Sequence, residues 1–279
     1  MIYVITHKEF DDSIVPSDGY KVLHVGSNKN CKEYYLRDDT GDNISSLNPY
    51  YCELTGLYWI WKNSEESPED LVGLVHYRRY FATKRSNLRY AYFGELPKPL
   101  EYGQMKTVIK DADTVILPER SRNIYSLETA YAINHNIEDL RILRKAIEDN
   151  CPEYLKEFDQ VFKGHYFYGY NMMVCRKCVL DSYCEWLFPL MKTVENGIDM
   201  DQKSDSYQRR IYGFLSERLL QVWVLHNQYK IRTFEVFNTE ERTDIGAVKL
   251  LKKIKSYDLK VKRIIRNDIL NSQNKKYHI

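Results

Sequence analysis

The chain reads as one α/β domain over residues 1–245, built on a mixed, mainly parallel sheet flanked by helices. A basic helical tail follows over residues 246–279. Three observations predict this. Short apolar runs rich in β-branched residues alternate with longer amphipathic segments, the pattern of strands and covering helices. The run Leu71-Val72-Gly73-Leu74-Val75 has no polar face, as expected of a strand buried inside a sheet. It ends abruptly in His76-Tyr77-Arg78-Arg79-Tyr80, and ligands of open α/β sheets sit beyond the carboxyl ends of their strands.

The elements follow in order. Ile2–Thr6 is an apolar strand ending in Thr6-His7-Lys8, and Lys21–Val25 is a second strand closed by Gly26-Ser27. Residues 37–45 are polar and rich in turn formers. Pro49 opens a helix over Tyr50–Lys62. Leu54, Leu57, Tyr58, Ile60 and Trp61 run nearly all round it, so it should be buried, and its Glu53 then needs a partner. After the strand Leu71–Val75, residues 82–105 lack periodicity, contain Pro97 and Pro99, and read as a long excursion over the surface. Lys106–Lys110 reads as a short helix, Thr114–Leu117 as a strand stopped by Pro118, and residues 126–149 and 154–162 as helices. Gly164–Val174 is dense in glycine and aromatics and turns into a strand at Met172–Val174. Val179–Val194 and Arg209–His226 are amphipathic helices, and Lys230–Val236 is a late strand.

Composition limits the partners. The chain has 24 Tyr against 10 Phe, and Tyr supplies apolar area with a hydroxyl, suited to sugar-binding surfaces and equally to half-buried packing. No apolar stretch approaches the ~18 residues of a membrane span. The N-terminus lacks the basic and apolar regions of a signal peptide, so the expected location is the cytoplasm, with the six cysteines as free thiols. Cys175 and Cys178 have zinc-type spacing but no second pair. Residues 249–279 carry a net charge of +8, which leaves −6 on residues 1–248 for the chain total of +2. Apolar residues are interleaved with this basic charge, as at an anionic membrane surface. A solvated helix packed on its own domain fits the same pattern. Nucleic acid is a third partner, which the acidic body argues against.

Several enzyme classes lack their motifs. The chain has no GxGxxG after the first strand, no GxxxxGK[ST], no GxSxG and no HExxH. A nucleotide-sugar transferase remains. Many such enzymes bind the diphosphate through Mg or Mn held by Asp-x-Asp at a strand end. Asp111-Ala-Asp113 precedes its strand, and Asp199-Met-Asp201 lies between helices. The strand end instead carries His76-Tyr77-Arg78-Arg79. Arg forks match phosphate oxygens, and fixed cations neutralise a leaving diphosphate with no metal required. A solvated strand end making surface ion pairs is the bland alternative.

Leu47–Asn63 (with Glu53-Leu54-Thr55 and Tyr58-Trp59-Ile60-Trp61-Lys62-Asn63) and Val72–Phe81 together resemble the bacterial capsular and exopolysaccharide glycosyltransferases, a family long known only as a domain of unknown function. The likeness continues in Gly164-His165, Tyr170–Met173, Tyr183–Phe188 and Gly213–Leu219 and covers most of residues 1–230. It implies a GT-A-like fold and transfer of a hexose from a UDP-sugar to a lipid-linked saccharide acceptor. Galactose, in pyranose or furanose form, is the favoured hexose.

Roles follow from that likeness. Thr6, His7 and Lys8 should line the nucleotide cleft, unless they are a solvated strand end, and Asp42 and Asn43 should hold uracil or ribose, unless they only shape a turn. Arg78 and Arg79 should stabilise the diphosphate with His76 and Tyr77 beside them, and Glu53 should orient one of the two Arg or form a structural ion pair. His165 and Asn171 should meet the sugar or acceptor, with a satisfied core histidine as the alternative. Inverting transfer needs a base for the acceptor hydroxyl, and Glu217, Asp201 and Asp205 are the candidates, with a structural Glu217–Arg218 pair as the alternative. A non-catalytic carbohydrate- or nucleotide-binding partner of the polysaccharide machinery is the competing reading of the whole chain.

Overall fold

The structure is a computed structural model that describes residues 1–27, 31–93, 95–198 and 206–240. In chain order the strands are β1 (Ile2–Thr6), β2 (Tyr20–His24), β3 (Leu36–Arg37), β4 (Leu71–His76), β5 (Arg79–Ala82), β6 (Thr114–Pro118), β7 (Ser121–Arg122), β8 (Tyr166–Phe167), β9 (Met173–Arg176) and β10 (Lys230–Asn238). The α-helices are α1 (Asn48–Tyr51), α2 (Leu54–Asn63), α3 (Lys84–Phe93), α4 (Tyr102–Val108), α5 (Leu127–Asn134), α6 (Ile137–Asn150), α7 (Leu155–Lys163), α8 (Lys177–Gly197) and α9 (Ile211–His226).

A mixed sheet organises them. β3, β2, β1 and β4 run parallel in that spatial order. Beyond β4 the sense changes: β9 runs antiparallel to both β4 and β6, and β10 pairs parallel with β6 and antiparallel with β5. The β4–β5 turn joins His76 to Arg79, so β4, β9, β6, β10 and β5 form a closed ring of pairings. The sheet is thus less parallel than the sequence suggests. Short antiparallel strands such as Met173–Arg176 are as apolar as parallel ones, so composition does not reveal their direction.

Alternation along β1 divides the core. Tyr3 and Ile5 pack into one buried cluster with residues of α2 and α5–α9, while Ile2 and Val4 pack into a second with Met105 of α4, Phe81 and Phe237. Helices therefore cover both faces of the sheet.

Three differences from the sequence reading have local causes. The helix expected over Tyr50–Lys62 is two helices. Cys52 takes φ 54°, ψ −130°, and the Asn48 amide donates to the Cys52 carbonyl (2.8 Å) and holds the break. The expected excursion over 82–105 contains the last residue of β5, all of α3 and the start of α4. Thr83 accepts from the Ser86 N–H at the start of α3, and a capping box between Glu101 and Gln104 starts α4. Residues 126–149 form two helices because Ser126 and Asn136 each cap a new N-terminus. The basic tail, including residues 246–279, lies outside the described residues. Among the described residues no helix is long and apolar enough to cross a membrane.

One glycine sets the spacing between β4 and β9. A Cβ on Gly73 would lie 2.4 Å from the Met173 carbonyl oxygen, a backbone atom that cannot swing aside. Gly73→Ala is expected to cost about 1–3 kcal/mol through overpacking, read as a lower urea midpoint. A midpoint equal to wild type would mean that the two strands part freely.

Candidate functional site

β1 is flanked by β2 and β4, so the chain leaves it first to one side and later to the other. This is the switch point of an open sheet, and the crevice there faces the carboxyl ends of the strands. A cleft of ≈ 500 Å³ occupies that position. β1 and the residues after it supply Ile5, Thr6 and His7, the end of β2 supplies Val25, and the β4–β5 turn supplies His76, Tyr77, Arg78 and Arg79. α1 supplies Asn48 and Pro49, and the break after it supplies Cys52 and Glu53. The far wall is Tyr170 with Tyr207, Arg210, Phe214 and Glu217.

Left-handed backbone conformations gather here. Among the described residues other than glycine, φ is positive at Cys52, Tyr170, Asn171 and Gln228, and the first three lie in or directly behind the cleft. Such conformations are costly and concentrate at functional sites. The Tyr170–Asn171 pair ties the end of β4, the α1–α2 break and α9 together. The Tyr170 carbonyl accepts from His76 Nε2 (2.6 Å), and the Tyr170 N–H donates to Glu217 Oε1 (3.1 Å). The Asn171 amide donates to Glu53 Oε1 (2.7 Å) and to the Gly213 carbonyl (3.2 Å), and its oxygen accepts from Ser216 Oγ (3.2 Å).

This network sets the protonation states. A carbonyl can only accept, so Nε2 of His76 carries hydrogen and a neutral ring leaves Nδ1 as an acceptor. Burial holds the His76 pKa down at about 4. Burial also raises the carboxyl pKa of Glu53 and of Glu217. The Asn171 hydrogen bond opposes the rise at Glu53, and the Arg218 charge opposes it at Glu217.

The cationic side is partly neutralised from within. The Glu240 carboxylate bridges Arg78 (2.9 Å) and Lys8 (3.5 Å), and the Thr239 N–H donates to the Arg78 carbonyl (2.9 Å). The Arg79 guanidinium lies 4.8 Å from the centre of the Tyr170 ring. The Tyr77 ring is enclosed by His7, Phe10 and Lys8.

The sequence-derived candidates separate accordingly. His7, His76, Tyr77, Arg78, Arg79 and Glu217 share the cleft. Thr6 lines it too, but its hydroxyl turns back to the Lys8 backbone (2.5 Å) and shapes the loop. Lys8 stands at the rim on Glu240. Asn171 is almost fully buried and acts from behind, as the support of Glu53. Glu53 therefore rests on an amide, not on an Arg. Asp42 and Asn43 do not line the cleft: their turn is tied to Asn63 at the end of α2, and Asp42 also accepts from Tyr58. His165 is exposed beside the β7–β8 pair and is not part of the cleft either. Asp201, with Asp199 and Asp205, lies outside the described residues. Asp111 and Asp113 pair with Lys230 at the opposite end of the strands.

Arg210 and Phe214 have a signal in the sequence, for they precede Glu217 by seven and three residues and so share its helical face. Cys52 and Tyr170 had no comparable signal, because left-handed backbone at a non-glycine residue leaves little mark on a sequence.

Fold and cleft together define an α/β protein with a ligand crevice at a strand switch point. A solved structure titled as the apo form of WbbM, a bifunctional glycosyltransferase, shares this fold with a TM-score of 0.68 and 27% sequence identity. The match covers 88% of this chain and 46% of that one, so this chain spans about half the length of WbbM. The profile of the family described as Domain of unknown function (DUF4422) matches residues 1–228, and the chain belongs to that family. No curated protein matches it.

Two predictions follow from the electrostatics. Between about pH 6.5 and 4 the unfolded chain binds a proton at His76 that the folded chain refuses, so stability falls as pH drops through that window. His76→Gln keeps a donor for the Tyr170 carbonyl and cannot titrate, so its urea midpoint should fall less steeply there. Equal slopes would remove His76 as the source. Separately, Glu240→Gln removes the carboxylate charge that bridges Lys8 and Arg78 and is expected to tighten inorganic pyrophosphate about two- to fivefold, measured by calorimetry. Unchanged or weaker binding would show that these cations do not receive the anion.

Proposed function

We propose that this chain is a GT-A-like glycosyltransferase that moves a hexose from a UDP-sugar to a lipid-linked saccharide acceptor during capsular or exopolysaccharide synthesis. Galactose, as pyranose or furanose, is the favoured hexose. The observation that carries the reading is the cleft itself. Arg78 and Arg79 stand at the strand ends on one side, and a carboxylate with raised pKa, Glu217, stands on the other. The fold shared with WbbM supports it.

The chemistry divides between the two walls. The bond from the anomeric carbon to the diphosphate oxygen breaks, and UDP departs with the electron pair. Arg78 and Arg79 stabilise the charge that develops on the diphosphate. In the inverting form of the reaction the acceptor oxygen forms the new bond and its proton passes to Glu217. Burial makes this carboxylate more basic than an exposed one. His76, neutral and held by the Tyr170 carbonyl, offers Nδ1 as an acceptor for a sugar hydroxyl. Fixed cations do the neutralising that Mg or Mn does in other transferases, so no metal is required in this reading. The basic segment beyond residue 245 holds the protein at the anionic cytoplasmic face of the membrane and brings the cleft to its lipid-linked acceptor.

Nucleotide release from a panel of UDP-sugars, with and without EDTA, tests the proposal. Slow UDP release that survives EDTA is expected for at least one donor. Binding without turnover would make the chain a carbohydrate- or nucleotide-binding partner instead, and full loss in EDTA restored by Mn would move the neutralising role to a metal. Glu217→Gln should lower turnover by about 10²–10⁴ with UDP affinity kept. The acid limb of the wild-type rate profile should lie above the ordinary carboxylate range, because the base must first lose its proton. An acid limb at an ordinary carboxylate value would exclude Glu217.

A further inference from the structure

The outer half of the far wall has no part in the donor chemistry above. Phe214 and Arg210 precede Glu217 by three and seven residues, so all three face the cleft from one side of α9 and its cap. They span roughly 10 Å along the helix axis. Tyr207 continues the line outward and is half exposed.

These rings are packed in advance. The Phe214 ring stacks on His135 at 4.3 Å and 30°, and Tyr207 lies 5.0 Å from Phe214. The Arg210 guanidinium covers Phe214 at 5.7 Å and is tied to Cys52 Sγ (3.1 Å). The Gln208 side chain fixes the segment to α5, with its oxygen 3.2 Å from His135 Nδ1 and its nitrogen donating to the Asn134 carbonyl (3.0 Å). A half-exposed tyrosine held this firmly is a preformed apolar surface, and it ends at the carboxylate that would take the acceptor's proton. Aromatic faces paired with a few fixed polar groups are what an orienting small-molecule site uses. The C–H face of a pyranose matches the ring, and its hydroxyls match Arg210 and Glu217.

We propose that Tyr207, backed by Phe214, forms the acceptor subsite and stacks the terminal pyranose of the acceptor so that its hydroxyl points along α9 to Glu217. This rests on the glycosyltransferase reading of the cleft. Tyr207 and Phe214 are then positioning residues that set which acceptor is used.

Saturation-transfer NMR on the full chain with UDP bound provides the test. The probes are the methyl pyranosides of galactose, glucose, mannose and N-acetylglucosamine. At least one should receive magnetisation, strongest on the ring C–H protons of one face. Tyr207→Phe should keep that signal. Tyr207→Ala and Phe214→Leu should each lower it at least fivefold while melting as cooperatively as wild type. The inference is overturned if no glycoside receives magnetisation, or if Tyr207→Ala and Phe214→Leu keep the wild-type signal. Failure of the functional reading registers elsewhere: it is the absence of UDP release from every UDP-sugar, whatever the glycoside signals do.

Discussion

A two-residue left-handed turn, Tyr170–Asn171, is the constraint on which the cleft depends. Its four polar groups reach three separately folded pieces: the end of β4 through His76, the α1–α2 break through Glu53, and α9 through Glu217, Gly213 and Ser216. The first two pieces lie far from α9 in sequence. Backbone strain at Tyr170 and Asn171 persists because the surroundings over-determine it. The turn also sets charge. It fixes His76 as an Nε2–H tautomer and gives each buried carboxylate one donor, enough to hold its direction without returning its pKa to that of an exposed acid.

The cationic wall depends on a different restraint. β10 ends beside the β4–β5 turn, where Thr239 holds the Arg78 backbone and Glu240 holds its side chain. Arg78 and Arg79 therefore receive fixed positions from a strand that is more than 150 residues away in the chain. In a site that neutralises an anion with side chains, this matters. A guanidinium fixed beforehand gives up less rotamer freedom on binding than a mobile one.

Much of this could be read from the chain. The strand Leu71–His76 and its His-Tyr-Arg-Arg terminus were visible because a strand boundary coincides with a sharp change in polarity. Glu217 was visible through its place on an amphipathic helix. The opposite wall was largely hidden. Asn171 looks like a ligand contact in the sequence, but a buried amide that supports a carboxylate has the same one-letter signature. Asp42 and Asn43 look like nucleotide contacts, yet Asn and Asp are also the residues that build turns, and here they do so against Asn63. The antiparallel sense of β9 and the insertion of β10 are long-range pairings that no local pattern encodes.

The place of β10 bears on how the molecule is made. It lies between β5 and β6, so until it arrives both of those strands present an unpaired edge. The first half of the sheet, β1 to β4, can form as soon as the N-terminal residues leave the ribosome, since its partners are close in sequence. The ring through β9, β6, β10 and β5 closes only after residue 238 has been synthesised. Such late, non-local closure slows folding and leaves apolar edges such as Val115-Ile116-Leu117 exposed in the nascent chain. The same strand that aligns the arginines thus closes the ring of strands, and a nascent chain that stalls before it has neither that ring nor a finished cleft.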